Sequence, residues 1–194
     1  MSRYAFTALV LVVAAQRLCE LSKSKRNEAR IIAAGGREHA PEQMWWMRML
    51  HAGWLAGMLV EVWLFDAALP GWLAVVALAA FFLGQALRLS AMRALGPRWT
   101  VKIMTVPGHR AVDTGIFRYI RHPNYLGVVL ELAALPIVHG AFVTAGVASV
   151  LNGLLLRARI RAEERALDED SAYRAIVGDR PRFLPRFSRS AVDG

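Results

Sequence analysis

The stretch Gly115-Ile116-Phe117-Arg118-Tyr119-Ile120-Arg121-His122-Pro123-Asn124-Tyr125-Leu126-Gly127 lies between two strongly apolar halves of the chain. It holds two Arg, two Tyr, a His, an Asn and a Pro, then runs straight into an apolar segment. Proline fits the first turn of a helix, where its missing N–H costs nothing, so Pro123 predicts a helix start with His122 at or near the N-cap. Free N–H groups and the positive end of the helix dipole gather there, which suits a carboxylate or another anion. A polar cluster at the mouth of a membrane helix is expensive unless it has work to do.

Around this stretch the chain reads as a membrane protein. Its 194 residues are 56% hydrophobic, yet carry 24 Lys and Arg against 15 Asp and Glu, a formal net charge of +9. Residues 4–21, 44–65 and 72–89 are apolar and about long enough to cross a bilayer, given ~20 residues per crossing. Residues 126–138 and 141–156 are shorter and read as a helical hairpin that reaches only part way unless its flanks join in. The first segment resembles a cleaved signal peptide up to Ala14-Ala15, but the helical pattern continues through Gln16 to Leu21. Gly53 and Gly57 have the small-xxx-small spacing that lets helices approach closely.

Between these segments lie polar connections at 22–41 and 90–122, and a short turn at 66–71. Gly35-Gly36 breaks the first connection. Residues 157–177 alternate charge with Ile160, Ala162, Ala166, Leu167 and Tyr173, an amphipathic helix leaving the membrane that Gly178 ends. The prolines of Arg180-Pro181-Arg182-Phe183-Leu184-Pro185-Arg186-Phe187 hold that tail extended. No strand is expected. The expected fold class is all-α: an integral membrane bundle of about five helices, its C-terminal amphipathic helix capping a pocket on the cytosolic side. One domain covers 1–194, divided into a three-helix part at 1–89 and a second part at 90–194.

The positions of the charges decide the partner class. With five spans and the N-terminus outside, the connections at 22–41 and 90–121 and the tail from 157 face the cytosol. They and the helix ends carry every Lys and Arg except Arg3, while 66–71 and 139–140 carry none. That is the positive-inside pattern. It accounts for the basic composition without nucleic acid, which would want its cations on a soluble scaffold. Cys19 is the single cysteine, so no disulfide is expected, and His109, His122 and His139 lack metal-ligand spacing.

Arg17, Glu20, Arg48, His51, Gln85, Arg88, His122, Asn124 and Asn152 fall in the cytosolic half, which points to a cavity opening there. Glu131 is deeper, on one face with Asn124 and Gly127. A carboxyl there is paired, protonated or strongly shifted: it is either a general base or substrate contact, or half of a buried ion pair with Arg48 or Arg88. Arg159 and Glu163 are four residues apart, the spacing of an ordinary surface pair worth ~0.3–0.5 kcal/mol. Spacing alone does not name the reaction.

Gly115 with Arg121-His122-Pro123-Asn124-Tyr125-Leu126-Gly127, followed by Arg159-x-x-x-Glu163-Glu164-x-x-Leu167, Tyr173, Pro181 and Pro185, resembles the isoprenylcysteine carboxyl methyltransferase family across 96–187. The resemblance implies a membrane methyltransferase enclosing S-adenosylmethionine. By that resemblance His109, Arg110, Ala111 and Val112 form a loop on the cofactor. Phe117 stands where the family commonly has a contacting Tyr, keeping the ring and losing the hydroxyl. His122, Pro123, Asn124 and Tyr125 are the second cofactor stretch, Glu163 binds the cofactor, and Arg159 lies on the substrate side. Arg26-Asn27-Glu28, Leu130-Glu131 and Val150-Leu151-Asn152 resemble a bacterial subgroup associated with type III polyketide synthases, whose members O-methylate long-chain alkylpyrones or alkylresorcinols. The expected acceptor is such a lipophilic molecule reached from membrane lipid, with Glu131, and after it His51, as the base a phenol or enol needs. The alternatives are a carboxyl methyltransferase for prenylcysteine-like or other lipid carboxylates or thiols, and a non-catalytic membrane binder or transporter, against which the lack of an inverted repeat counts.

Overall fold

The structure is a computed structural model describing residues 1–65 and 69–185. Residues 66–68 of the expected turn, and Arg186 and Phe187 of the extended tail, lie outside the described residues. The fold is an all-α bundle of α1 (Arg3–Ala33), α2 (Gln43–Phe65), α3 (Gly71–Leu95), α4 (Pro123–Ile137) and α5 (Phe142–Ser171), with the single-turn α6 (Tyr173–Val177) after it. Two short strands interrupt this plan, β1 (Arg37–His39) and β2 (Ile103–Thr105). They pair antiparallel, with Arg37 opposite Thr105 and His39 opposite Ile103. Three residues are too few to establish an alternating pattern, so neither strand is visible in the sequence.

One connection expected from the sequence is largely helix, and two expected helices are one. α1 runs unbroken through residue 33, so the first twelve residues of the supposed 22–41 loop belong to it. No Gly or Pro falls inside it to stop it, and its buried face continues through Glu20, Ser24, Asn27 and Ile31. Gly35, at φ +80°, ends it with the left-handed turn glycine adopts freely. The polar residues of this extension hold the backbone of the α3–β2 connection. Asn27 donates to the Trp99 carbonyl at 2.7 Å, and Ser24 accepts from the Val101 N–H at 2.9 Å. Likewise α5 and the expected exit helix are one 30-residue helix, broken only at Ala172, where φ is +51°.

The core unites five helices around Phe6 and Val10 of α1, Trp54 and Met58 of α2, Phe81 of α3, Leu132 and Leu135 of α4, and Ala148 of α5. The tightest approach is between α3 and α4. A Cβ on Gly127 would lie 2.6 Å from the Gly84 carbonyl oxygen, and one on Gly84 would lie 2.8 Å from that of Gly127. Of the Gly53–Gly57 pair only Gly57 meets a neighbour, Thr144 of α5, where a Cβ would be 3.0 Å from Oγ1. Glu61 of α2 caps α5 from outside: its carboxylate accepts from Val143 N–H at 2.9 Å, Thr144 N–H at 2.7 Å and the Thr144 hydroxyl at 2.7 Å. Ala141, at the N-cap, has no side chain to do this.

Among the described residues three helices, α1, α3 and α5, are long and apolar enough to cross a membrane by length and composition. α4, at 15 residues, is ~22 Å long and falls short of a ~30 Å hydrocarbon core, as its sequence predicts. α2 has the length, with 23 residues, but carries Arg48, His51 and Glu61. Exposed aromatic residues mark both ends of the bundle: Tyr4, Trp63 and Trp72 at one, Trp45 and Trp46 at the other, the arrangement of an interfacial belt. At the first end Tyr4 packs edge-on against Trp63, which also carries Arg3 over its face.

Candidate active site

The N-terminus of α4 forms as its sequence predicts. His122 is the N-cap, Pro123 occupies the first turn, and Leu126 N–H donates to the His122 carbonyl at 3.1 Å. The His122 side chain makes no cap bond and points to α5 instead, with Nε2 3.0 Å from Glu164 Oε1. Its ring stacks on Tyr125 at 5.4 Å. Glu164 gathers three cationic or protonatable groups: His122, Arg121 at 3.2 Å, and Arg182 through two bonds of 2.9 and 2.7 Å. Backbone bonds from Arg121 N–H to the Pro181 carbonyl and from His122 N–H to the Arg182 carbonyl lay the proline tail along this stretch. Glu164 and Arg182 thus lock the mouth of α4 to α5, a role that the local sequence around neither residue announces.

Inside that lock lies a cavity of about 530 Å³ reaching from α1 and α2 to α5 and α6. It brings together His109, Arg110, Ala111, Val112, Phe117, His122, Pro123, Asn124, Tyr125, Arg159 and Glu163 on one wall, so all the expected site residues but one face the same space. The loop carrying His109 to Val112 is held by the Gly108 N–H bond to the Asp170 carbonyl and by Ala111, which packs on Tyr173 and Val177. Arg159 and Glu163 do not pair as a surface i,i+4 couple. Arg159 is buried, donating through Nε to the Tyr125 hydroxyl at 3.1 Å and through Nη2 to the Val101 carbonyl. Its other N–H groups remain for the cavity.

Among the buried polar atoms of the cavity lining without a hydrogen-bond partner among the described residues are Glu163 Oε2, Asn124 Oδ1 and the Tyr173 hydroxyl. Glu163 Oε2 lies 3.8 Å from His122 Nδ1, beyond hydrogen-bond reach. Burial first, and then the Glu163 carboxylate, push the Tyr173 phenol above its ordinary range, so it stays a donor. Buried polar atoms left unpaired cost ~1–3 kcal/mol each, and two acceptors and a donor together define a place for a polar ligand. Such a set fits the ammonium, carboxylate and base edge of S-adenosylmethionine.

Glu131 is the exception. It does not line the cavity, and its side chain is fully buried. Its carboxylate is bound by Arg17 and, at 3.1 Å, by Arg88. Glu20 completes the group, 2.7 Å from Arg17 and 2.5 Å from Arg88. The geometry therefore favours the buried ion pair over a general base at Glu131, with guanidinium groups on both oxygens. Arg88 is one partner expected from the sequence; Arg17 replaces Arg48, which stands exposed at the cavity rim. α1 and α2 line the cavity with apolar Ala14, Leu18, Leu21, Met47 and Leu55, among which stand Arg17, Glu20, Arg48 and His51.

An all-α membrane bundle enclosing a cavity lined by both polar and apolar side chains defines the class, and comparison with known proteins gives the family. Residues 75–169 match the model of the isoprenylcysteine carboxyl methyltransferase (ICMT) family. An uncharacterised Bacillus subtilis protein, YpbQ, is 32% identical over 166 residues, covering 86% of this chain and 98% of the relative. An uncharacterised Haemophilus influenzae protein is 29% identical over 156 residues, 80% of this chain and 90% of that one. Among solved structures, the eukaryotic intramembrane Ras methyltransferase ICMT superposes with a TM-score of 0.52 at 22% identity. That match covers 68% of this chain and 47% of the larger protein. The chain belongs to the ICMT family of membrane methyltransferases, whose enzymes use S-adenosylmethionine.

Proposed function

We propose that this protein transfers the methyl group of S-adenosylmethionine to an oxygen of a lipophilic acceptor, a long-chain alkylpyrone, alkylresorcinol or similar polyketide lipid. The observation that carries this reading is the pairing, in one cavity, of unpartnered Glu163 Oε2, Asn124 Oδ1 and Tyr173 hydroxyl with apolar side chains of α1 and α2, Ala14, Leu18, Leu21, Met47 and Leu55. Glu163, Tyr173 and the N-terminus of α4 would hold the amino-acid end of the cofactor, where a helix N-terminus favours its carboxylate. His109 to Val112 and Phe117 would enclose the rest. Bound there, the cofactor supplies a methyl group on a cationic sulfonium.

Arg159 lies deeper, fixed by Tyr125 and the Val101 carbonyl, so its remaining N–H groups can orient the acceptor oxygen. Holding donor and acceptor at attack distance supplies much of the acceleration in such a displacement. An anionic nucleophile and a cationic donor lose charge together, so water excluded by the Glu164–Arg182 lock favours the transition state. Residues 96–122 and 172–185 lie at the cavity end of the bundle and are basic, which under the positive-inside rule supports a cytosolic cavity end and an N-terminus outside. A lipid-forming polyketide synthase there would supply the acceptor.

The Arg159 guanidinium also favours a second reading, a carboxyl methyltransferase for prenylcysteine-like or other lipid carboxylates. The experiment is transfer of labelled methyl from S-adenosylmethionine to alkylresorcinol, alkylpyrone and long-chain carboxylic acids, in detergent, by purified protein. Label on the phenolic or enolic acceptors supports the reading. Label confined to carboxylates replaces it with the second, and no label on any acceptor overturns both.

A further inference from the structure

His51 stands on α2, outside the residues that match the family model, and lines the same cavity as Arg159. Its Nδ1 is 2.8 Å from the Met47 carbonyl oxygen one turn earlier. A carbonyl can only accept, so Nδ1 carries hydrogen whether the ring is neutral or protonated. The proton that comes and goes is therefore the one on Nε2. That atom makes no hydrogen bond to any described residue. Trp54, edge-on at 6.4 Å, braces the ring. The charged groups around it are Arg17 from α1, Arg159 from α5 and Arg48 on its own helix, and α4 presents the Tyr125 hydroxyl, already engaged by Arg159.

This arrangement has the parts of a general base with its orienting partner: a ring fixed by a backbone carbonyl, a free nitrogen in a cavity, and a neighbouring guanidinium to hold the oxygen that gives up its proton. Glu131, and Glu20 at the cavity lining, are both tied to Arg17 and Arg88, which leaves the His51 ring as the base with an open nitrogen. We propose that His51 Nε2 accepts the hydroxyl proton of a phenolic or enolic acceptor as its oxygen is methylated. The inference rests on the proposed methyl transfer and assigns its acceptor the class of an acidic hydroxyl. In the step, the acceptor O–H bond breaks and its proton passes to Nε2. The oxygen lone pair forms the bond to the methyl carbon, the carbon–sulfur bond breaks, and its electron pair stays on sulfur, which becomes neutral. The proton then leaves His51 for water. A carboxylic acid, already ionised, needs none of this.

The test is His51→Asn, whose amide can keep the bond to the Met47 carbonyl while removing the basic nitrogen. S-Adenosylmethionine affinity by calorimetry should stay within about threefold. Methyl transfer to an unsubstituted alkylphenol should fall ~100-fold or more, the usual scale of general-base catalysis. The loss should shrink as fluorination makes the phenol more acidic and vanish for a fatty-acid carboxylate. A second readout needs no cofactor: a nitrophenol-headed lipid bound to the wild type should show its phenolate band at a pH where the His51→Asn complex still shows the phenol. An equal loss across all acceptors, no loss on the plain phenol, or identical spectra in the two proteins overturns the assignment. If His51→Asn weakens cofactor binding, His51→Ala is read the same way, and weakened binding in both makes His51 a structural support. Failure of the wild type to methylate anything would instead count against the methyl-transfer reading, while the spectra still decide the role of His51.

Discussion

Replacing Glu131 by Gln converts a balanced buried group of two arginines and two glutamates into one with an uncompensated positive charge. A Gln with its carbonyl at the Oε2 position still accepts from Arg17 and Arg88, but its amide donor then faces Arg88 Nη1, 3.4 Å from the Oε1 position, and the negative charge is gone. Arg17 Nε and Arg88 Nε already lack partners among the described residues, and Glu20 is left as the one carboxylate facing both guanidinium groups. Removing one partner of a buried ion pair costs ~3–5 kcal/mol, because the other charge stays desolvated. For a protein of this size 1 kcal/mol moves the midpoint by about 2–4 °C, so thermal unfolding of Glu131→Gln in detergent should come ~6–20 °C early. Glu131→Leu with Arg88→Met removes one charge of each sign and should recover more than half of that loss. A Glu131→Gln midpoint within about 2 °C of wild type, the shift of less than 1 kcal/mol, with transfer to phenols lost and transfer to carboxylates kept, would refute the ion-pair account and restore Glu131 as a base.

Two further substitutions test the packing that positions the site. Gly127→Ala would put a methyl group 2.5 Å from Arg88 Cγ and 2.6 Å from the Gly84 carbonyl. It should cost ~1–3 kcal/mol of stability by overpacking, and an unchanged midpoint would mean that α3 and α4 are not in that contact. Glu61→Ala removes the side chain that caps α5, which should cost ~1–2 kcal/mol, read as an earlier midpoint with cofactor affinity unchanged.

The legible parts of this chain are those with a local cause. Pro123 fixes the start of α4, and the apolar runs fix the cores of α1, α2 and α3. The extension of α1 is hidden because its buried face is polar there: Ser24 and Asn27 are buried to hold the backbone of Trp99 and Val101, which hydrophobic patterning cannot anticipate. The Arg17–Glu131 bond joins residues 114 apart, and no local signal connects them. By spacing alone Arg159 is half of a surface pair, because its true neighbours, Tyr125 and Val101, come from other elements. Glu164 sits beside the residue that the motif emphasises, yet makes the stronger contacts. Adjacency in a helix turns the two side chains to different neighbours, a distinction visible only once α4 is in place.

The central claim is that the wall formed by Glu163, Asn124 and Tyr173 binds S-adenosylmethionine. The most direct measurement is calorimetric titration of the purified protein with S-adenosylmethionine, beside Glu163→Ala. Micromolar binding to the wild type, weakened at least tenfold in Glu163→Ala without a change in unfolding midpoint, is the predicted result. Equal affinity in the two proteins, or no binding to the wild type with lipid extract present, would contradict it.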